Sequence, residues 1–142
     1  MNVLTSVPRT LPLASWAHYV LVVEDDPELL DSYRAGLRAA GFAAVGTDDG
    51  FDALRLVQLQ RPSAIVLDLR RPRLNGELVR QGLKSTAHTR DIPILVINGA
   101  DTPVNTTEVA CLLREPVNAE TLVVAVRHVV SQAPRQQAAN QG

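Results

Sequence analysis

The stretch Val20-Leu-Val-Val-Glu-Asp-Asp-Pro-Glu-Leu-Leu30 carries two patterns that meet at an acidic turn. Val20–Val23, extended back to Tyr19, is apolar without alternation, as a parallel strand covered on both faces must be. From Asp26 the period changes. Asp26 serves as an N-cap, Pro27 takes the first helical position, and Leu30, Tyr33, Leu37 and Ala40 recur along one helical stripe. Gly41 ends the helix. A buried strand that feeds a helix through a short turn is half of a strand–helix–strand unit, and the chain repeats that plan.

Working outward, further strands are predicted at Phe42–Thr47, Ala64–Leu67, Ile94–Ile97 and Ala110–Leu113. A second helix follows Asp49-Gly50, presents Phe51, Leu54 and Val57, and stops before Arg61-Pro62. A third covers Gly76 to Ser85 with Leu78, Val79 and Leu83 inward. The last starts at an Asn118 cap and carries Leu122, Val123, Val126, Val129 and Val130. Asp101–Val109 is too rich in Thr, Pro and Asn for more than about two turns. Such alternation implies an α/β fold, a doubly wound five-stranded parallel sheet. Residues 1–18 are read as a flexible leader packed by Trp16, residues 19–131 as one domain and residues 132–142 as a disordered tail.

Composition narrows the function. Lys+Arg is 14 against Asp+Glu 15, which argues against nucleic-acid binding driven by bulk positive charge. No run is apolar enough to span a bilayer, so the expected location is cytoplasmic. The lone Cys111 excludes an intramolecular disulfide and is expected to be buried. His18, His88 and His128 are not at ligand spacing.

In doubly wound sheets chemistry sits outside the carboxyl ends of the strands. The first strand runs into Glu24-Asp25-Asp26, and the third ends at Asp68. If those strands are neighbours, several carboxylates converge at one edge, where like charges require a cation or protons. Hard oxygen ligands without His or Cys favour Mg2+ over zinc or copper.

The segments Val20–Leu30, Leu67-Asp-Leu-Arg-Arg-Pro-Arg-Leu-Asn-Gly76 and Ile92-Pro-Ile-Leu-Val-Ile97 together resemble the receiver domain of two-component response regulators, over about residues 19–130. The resemblance implies a flavodoxin-like (CheY-like) fold and a phosphorelay role, with a sensor histidine kinase or phosphotransfer protein as donor and a downstream protein as reader. It implies Asp68 as phospho-acceptor, Asp25 as a Mg2+ ligand, Glu24 holding the metal through water, and the Arg70 carbonyl as a further ligand. It also implies that the fourth- and fifth-helix face is where related domains pair, so a homodimer is a state to test.

Two positions depart from the family pattern. Asn98 stands where the family has Thr or Ser, and Glu115 where it has Lys. Asn98 still offers an amide donor, whereas Glu115 reverses a charge. Arg70 could supply replacement charge. Seventeen positions separate Asn98 from Glu115, too few for a loop, a mean helix of roughly 11–12 residues and a strand. A shortened or irregular fourth helix is therefore expected. Two readings stay open: an atypical single-domain receiver with impaired phosphoryl acceptance at Asp68, and a receiver-like interaction module that works without phosphorylation. An enzyme is disfavoured, because Arg70 occupies the place where a related phosphatase would carry a general acid. Direct nucleic-acid and membrane partners are not expected.

Overall fold

A computed structural model describes residues 19–69, 76–99 and 109–132. In chain order the elements are β1 (Tyr19–Val23), α1 (Pro27–Ala39), β2 (Ala43–Thr47), α2 (Gly50–Leu59), β3 (Ala64–Asp68), α3 (Gly76–Lys84), β4 (Ile94–Asn98), β5 (Cys111–Arg114) and α4 (Ala119–Gln132). All five strands are parallel, in the order β2-β1-β3-β4-β5. The order reverses between β1 and β3, which creates the switch point where such sheets place their ligand crevice. This is the flavodoxin-like topology.

Alternation within each strand divides the core into two layers. Leu21, Val23, Ile65, Leu67 and Val96 pack with Ala53, Val57, Val79 and Leu83 of α2 and α3. Val20, Val22, Val66, Leu95 and Ile97 pack with Tyr33, Leu37, Leu122 and Val126 of α1 and α4. β1, β3 and β4 are buried throughout, so their sequences read as continuous apolar runs. Each buried Leu, Ile or Val side chain stabilises the fold by about 1.5–3 kcal/mol.

The helix ends follow from local chemistry. Asp26 Oδ1 accepts from the N–H groups of Glu28 at 3.0 Å and Leu29 at 3.4 Å. Asp49 caps α2 through Phe51 N–H at 2.9 Å, and Asn118 caps α4 through Thr121 N–H at 2.8 Å. α1 closes in a Schellman motif. Phe42 N–H reaches the Leu37 carbonyl and Gly41 N–H the Arg38 carbonyl, each at 3.0 Å, while Gly41 takes a φ of +99° that needs no Cβ.

Several expectations are corrected. Phe51 is 72% exposed, because α2 buries Gly50, Ala53, Leu56 and Val57, and Phe51 lies about 100° round the helix from that stripe. Leu78 is 42% exposed for the same reason, beside the buried Val79 and Leu83. Cys111 is half-buried because β5 is an edge strand. α4 continues through Gln132, one residue into the expected tail. β3 and β4 each run one residue further than read, so Asp68 and Asn98 belong to the sheet itself. The leader, Arg70, the segment 101–108 expected to hold the irregular fourth helix and the tail beyond 132 lie outside the described residues. Among the described residues no helix is long and apolar enough to cross a membrane.

Candidate functional site at the carboxyl rim of the sheet

The register assembles the rim. Val23 lies opposite Leu67 across β1 and β3, which brings Glu24 alongside Asp68 one residue further on. Asp68 lies opposite Ile97, and Asn98 lies opposite Arg114. Backbone hydrogen bonds carry the ladder past the strand ends: Glu24 N–H to the Thr47 carbonyl at 3.0 Å, Leu69 N–H to the Ile97 carbonyl at 3.0 Å, and Glu115 N–H to the Asn98 carbonyl at 3.1 Å. Glu24, Asp68, Asn98 and Glu115 are therefore held at one end of the sheet by its own hydrogen bonding.

Burial separates them. Glu24 is 1% exposed, and Asp68 and Asn98 are 0%. Asp25 is half-buried and Glu115 exposed. Burying a carboxylate is costly unless hydrogen bonds or a cation compensate. One Glu24 oxygen, Oε2, accepts the Asp26 N–H at 3.2 Å, so the acidic turn folds back on itself. Asp26 is the helix cap, and its place in the triplet is accounted for by that role.

Two positioning residues were read in the sequence only as a strand end, Thr47, and as a member of the α1 stripe, Tyr33. Thr47 is 7% exposed; its carbonyl accepts from Glu24, and its hydroxyl donates to Asp52 Oδ2 at 2.9 Å. Asp52 in turn pairs with Arg55. The Thr47-Asp-Asp-Gly50 turn was the available signal, since Asp49 N–H also bonds the Thr47 hydroxyl, at 3.1 Å. Tyr33 is the second. Its hydroxyl donates to the Val117 carbonyl at 2.8 Å, pinning α1 to the chain just after Glu115.

A family model described as the response regulator receiver domain matches residues 20–115. The chain belongs to that family. It is a receiver domain of two-component signalling. Response regulator MprA of Mycobacterium sp. (strain KMS) is 42% identical over 82 residues, covering 58% of this chain and 35% of that protein. Transcriptional regulatory protein PrrA of Mycobacterium tuberculosis (strain ATCC 25618 / H37Rv) is 43% identical over 79 residues, covering 56% of this chain and 33% of that one. The receiver thus spans about a third of the length of the curated relatives it matches. Among solved structures, the receiver domain of sensor histidine kinase PA1611 from Pseudomonas aeruginosa PAO1 has a magnesium ion coordinated in its active site cleft. It superposes with a TM-score of 0.70 at 25% identity, covering 81% of this chain and 98% of that one. A sensor protein from Polaromonas sp. JS666 shares the fold, with a TM-score of 0.74 at 22% identity over 82% of this chain and 98% of that one.

The donor set at the receiver's rim is all carboxylate, which suits a hard divalent ion. Yet among the described residues no group of three His, Cys, Asp or Glu side chains is already gathered to hold a metal. Like charges repel, so carboxylates on adjacent strands do not close into a cage by themselves. Glu115 occupies the far side of the rim. Its Oε1 comes within 3.9 Å of where a Cβ on Gly99 would stand, placing its carboxylate against the end of β4. The charge reversal read in the sequence faces the rim at the β4–β5 end.

Proposed function

We propose that this receiver accepts a phosphoryl group on Asp68 with help from Mg2+, in impaired form, rather than turning over a substrate as an enzyme. The observation that carries the reading is the pairing of β1 with β3, which sets two buried carboxylates, Glu24 and Asp68, side by side at the switch point. Glu24, Asp25 and Asp68, with the Arg70 carbonyl, are the groups that would hold Mg2+. Bound there, the ion would screen the charge of the acceptor and of the incoming phosphoryl group.

The remaining chemistry falls to the chain. An Asp68 carboxylate oxygen forms the new bond to phosphorus as the bond to the donor's histidine nitrogen breaks, and that nitrogen is left to take up a proton. The Asn98 amide can donate a hydrogen bond to a phosphoryl oxygen. Glu115 opposes the added charge where the family pattern has a cation, an effect that solvent screening of its exposed side chain weakens. The reading implies a sensor histidine kinase or phosphotransfer protein as donor, a downstream protein as reader and a cytoplasmic location. The second reading, an interaction module indifferent to phosphorylation, draws its support from the Glu115 carboxylate beside Gly99.

Incubation with Mg2+ and acetyl phosphate, followed by intact-mass measurement, separates the two. A phosphoryl mass gain in the wild type that is absent in Asp68→Asn supports the first. No gain at any Mg2+ concentration leaves the second standing.

A further inference from the structure

The sheet has an edge at β2. The Thr47 carbonyl faces β1, where it accepts from Glu24, so in a parallel ladder Ala43 and Val45 face the same way. The N–H and C=O groups of Ala44 and Gly46 therefore face outward. An arginine lies across this edge: Arg38 Nη2 donates to the Ala44 carbonyl at 3.1 Å, and Ala44 is only 3% exposed. Arg34, one turn earlier on α1, runs its stem over Gly46, where its Cδ would meet an added Cβ at 2.8 Å. Arg34 Nε is buried and has no hydrogen-bond acceptor among the described residues.

Two guanidiniums four residues apart repel. Burial, and then the charge of Arg34, hold Arg38 below its ordinary basicity. Among the described residues neither Arg34 nor Arg38 is joined to a carboxylate in an ion pair; the pair of Arg55 with Asp52 lies away from this edge. The edge thus offers outward backbone groups flanked by two cations without a carboxylate. Segments 1–18 and 133–142 of this chain contain no Asp or Glu, so they cannot supply one.

We propose that the β2 edge, with Arg34 and Arg38 along it, docks an extended acidic segment of a partner protein by strand addition. Arg38 lets go of the Ala44 carbonyl and turns to a carboxylate of the incoming strand. The freed carbonyl, the Ala44 N–H and the Gly46 groups then bond the partner's backbone. Alternate side chains of a strand share a face, so carboxylates two residues apart would meet both arginines. In the resting protein the same Arg38 contact closes the edge against indiscriminate pairing.

The test uses a capped peptide alternating valine and glutamate, titrated to millimolar concentration into the full 15N-labelled chain. Expected are amide shifts centred on Ala44–Thr47 together with a shift of the Arg38 side chain. The double variant Arg34→Glu, Arg38→Glu should weaken binding at least about tenfold. Ala44→Pro removes only an outward donor and should weaken it as well, with thermal melting checking that the variant folds. The same peptide with lysine for glutamate should not bind. No shift, shifts centred elsewhere, or binding unchanged in both variants overturns the proposal. So does broadening of Ala44–Thr47 that grows with protein concentration alone, which would make a second copy the occupant. None of these outcomes depends on whether Asp68 accepts phosphate.

Discussion

The two halves of the rim are built on unlike supports. At β1 and β3, Glu24 and Asp68 are fully buried on strands covered by helices on both faces. At β4 and β5 the rim passes from buried Asn98 to exposed Glu115 on a half-buried edge strand. Charge is tolerated differently on these supports. A carboxylate in the first half is held by a packed layer, and its neighbours must compensate it. One in the second half is wetted, so a change from cation to anion costs the fold little. The half that would accept and hold is the constrained one. The half that would respond is the one freer to vary.

The most severe loss belongs to the buried half of the rim. Asp68→Asn should abolish acetyl-phosphate labelling entirely; labelling that survives would move the acceptor elsewhere. Next comes the weaker side. Glu115→Lys replaces an opposing anion by a cation at an exposed position, where each charge is worth roughly 0.2–1 kcal/mol, so the labelling rate should rise a few-fold. An unchanged rate would mean that Glu115 does not face the phosphoryl position, and the divergence of the second half would carry no chemical cost.

A third measurement sharpens the first half alone. Mg2+ at about 100 times its Kd should stabilise the folded chain by about 2.7 kcal/mol, seen as a rise in melting temperature. Asp25→Ala should remove that rise. Equal stabilisation of both proteins would put the ion somewhere other than the β1–β3 rim.

The division into two halves was partly legible before any coordinates. Continuous apolar runs identified β1, β3 and β4 because both their faces are covered, and Asp26, Asn118 and Gly41 declared the helix ends through local hydrogen bonding. Glu24, Asp68 and Asn98 could be placed at strand ends because each follows an apolar run directly, and Glu115 because it follows one across a single arginine, Arg114. Rotation about a helix was not legible. Phe51 and Leu78 are apolar, yet each sits beside a better-placed stripe, and composition alone does not fix which stripe faces the sheet. Nor were Thr47 and Tyr33 legible as positioning residues, because the Thr47 carbonyl meets Glu24 and the Tyr33 hydroxyl meets Val117 only once the fold brings them together.

The far end of β1 gives a control. The Tyr19 hydroxyl donates to the Gln60 carbonyl, and burial pushes its phenol well above the ordinary value. Below the unfolded value of about 10 both states keep the proton and the contribution is whole. Above it the unfolded chain ionises while the folded one does not, so stability should fall by about 1.4 kcal/mol per pH unit until the folded phenol titrates. Urea midpoints at rising alkaline pH should show this limb, and Tyr19→Phe should flatten it without altering labelling by acetyl phosphate at neutral pH.

The smallest effect divides the acidic triplet itself. Asp26 caps α1, so Asp26→Ala should cost about 1 kcal/mol of stability through the orphaned N–H groups of Glu28 and Leu29. The hydrogen bond to Glu24 uses the Asp26 backbone N–H and survives the substitution. Labelling and the Mg2+-induced rise in melting temperature should therefore persist in Asp26→Ala while both are lost or weakened in Asp25→Ala. If Asp26→Ala also loses the Mg2+ response, the helix cap and the metal-holding group are one unit, and α1 itself belongs to the constrained half of the rim.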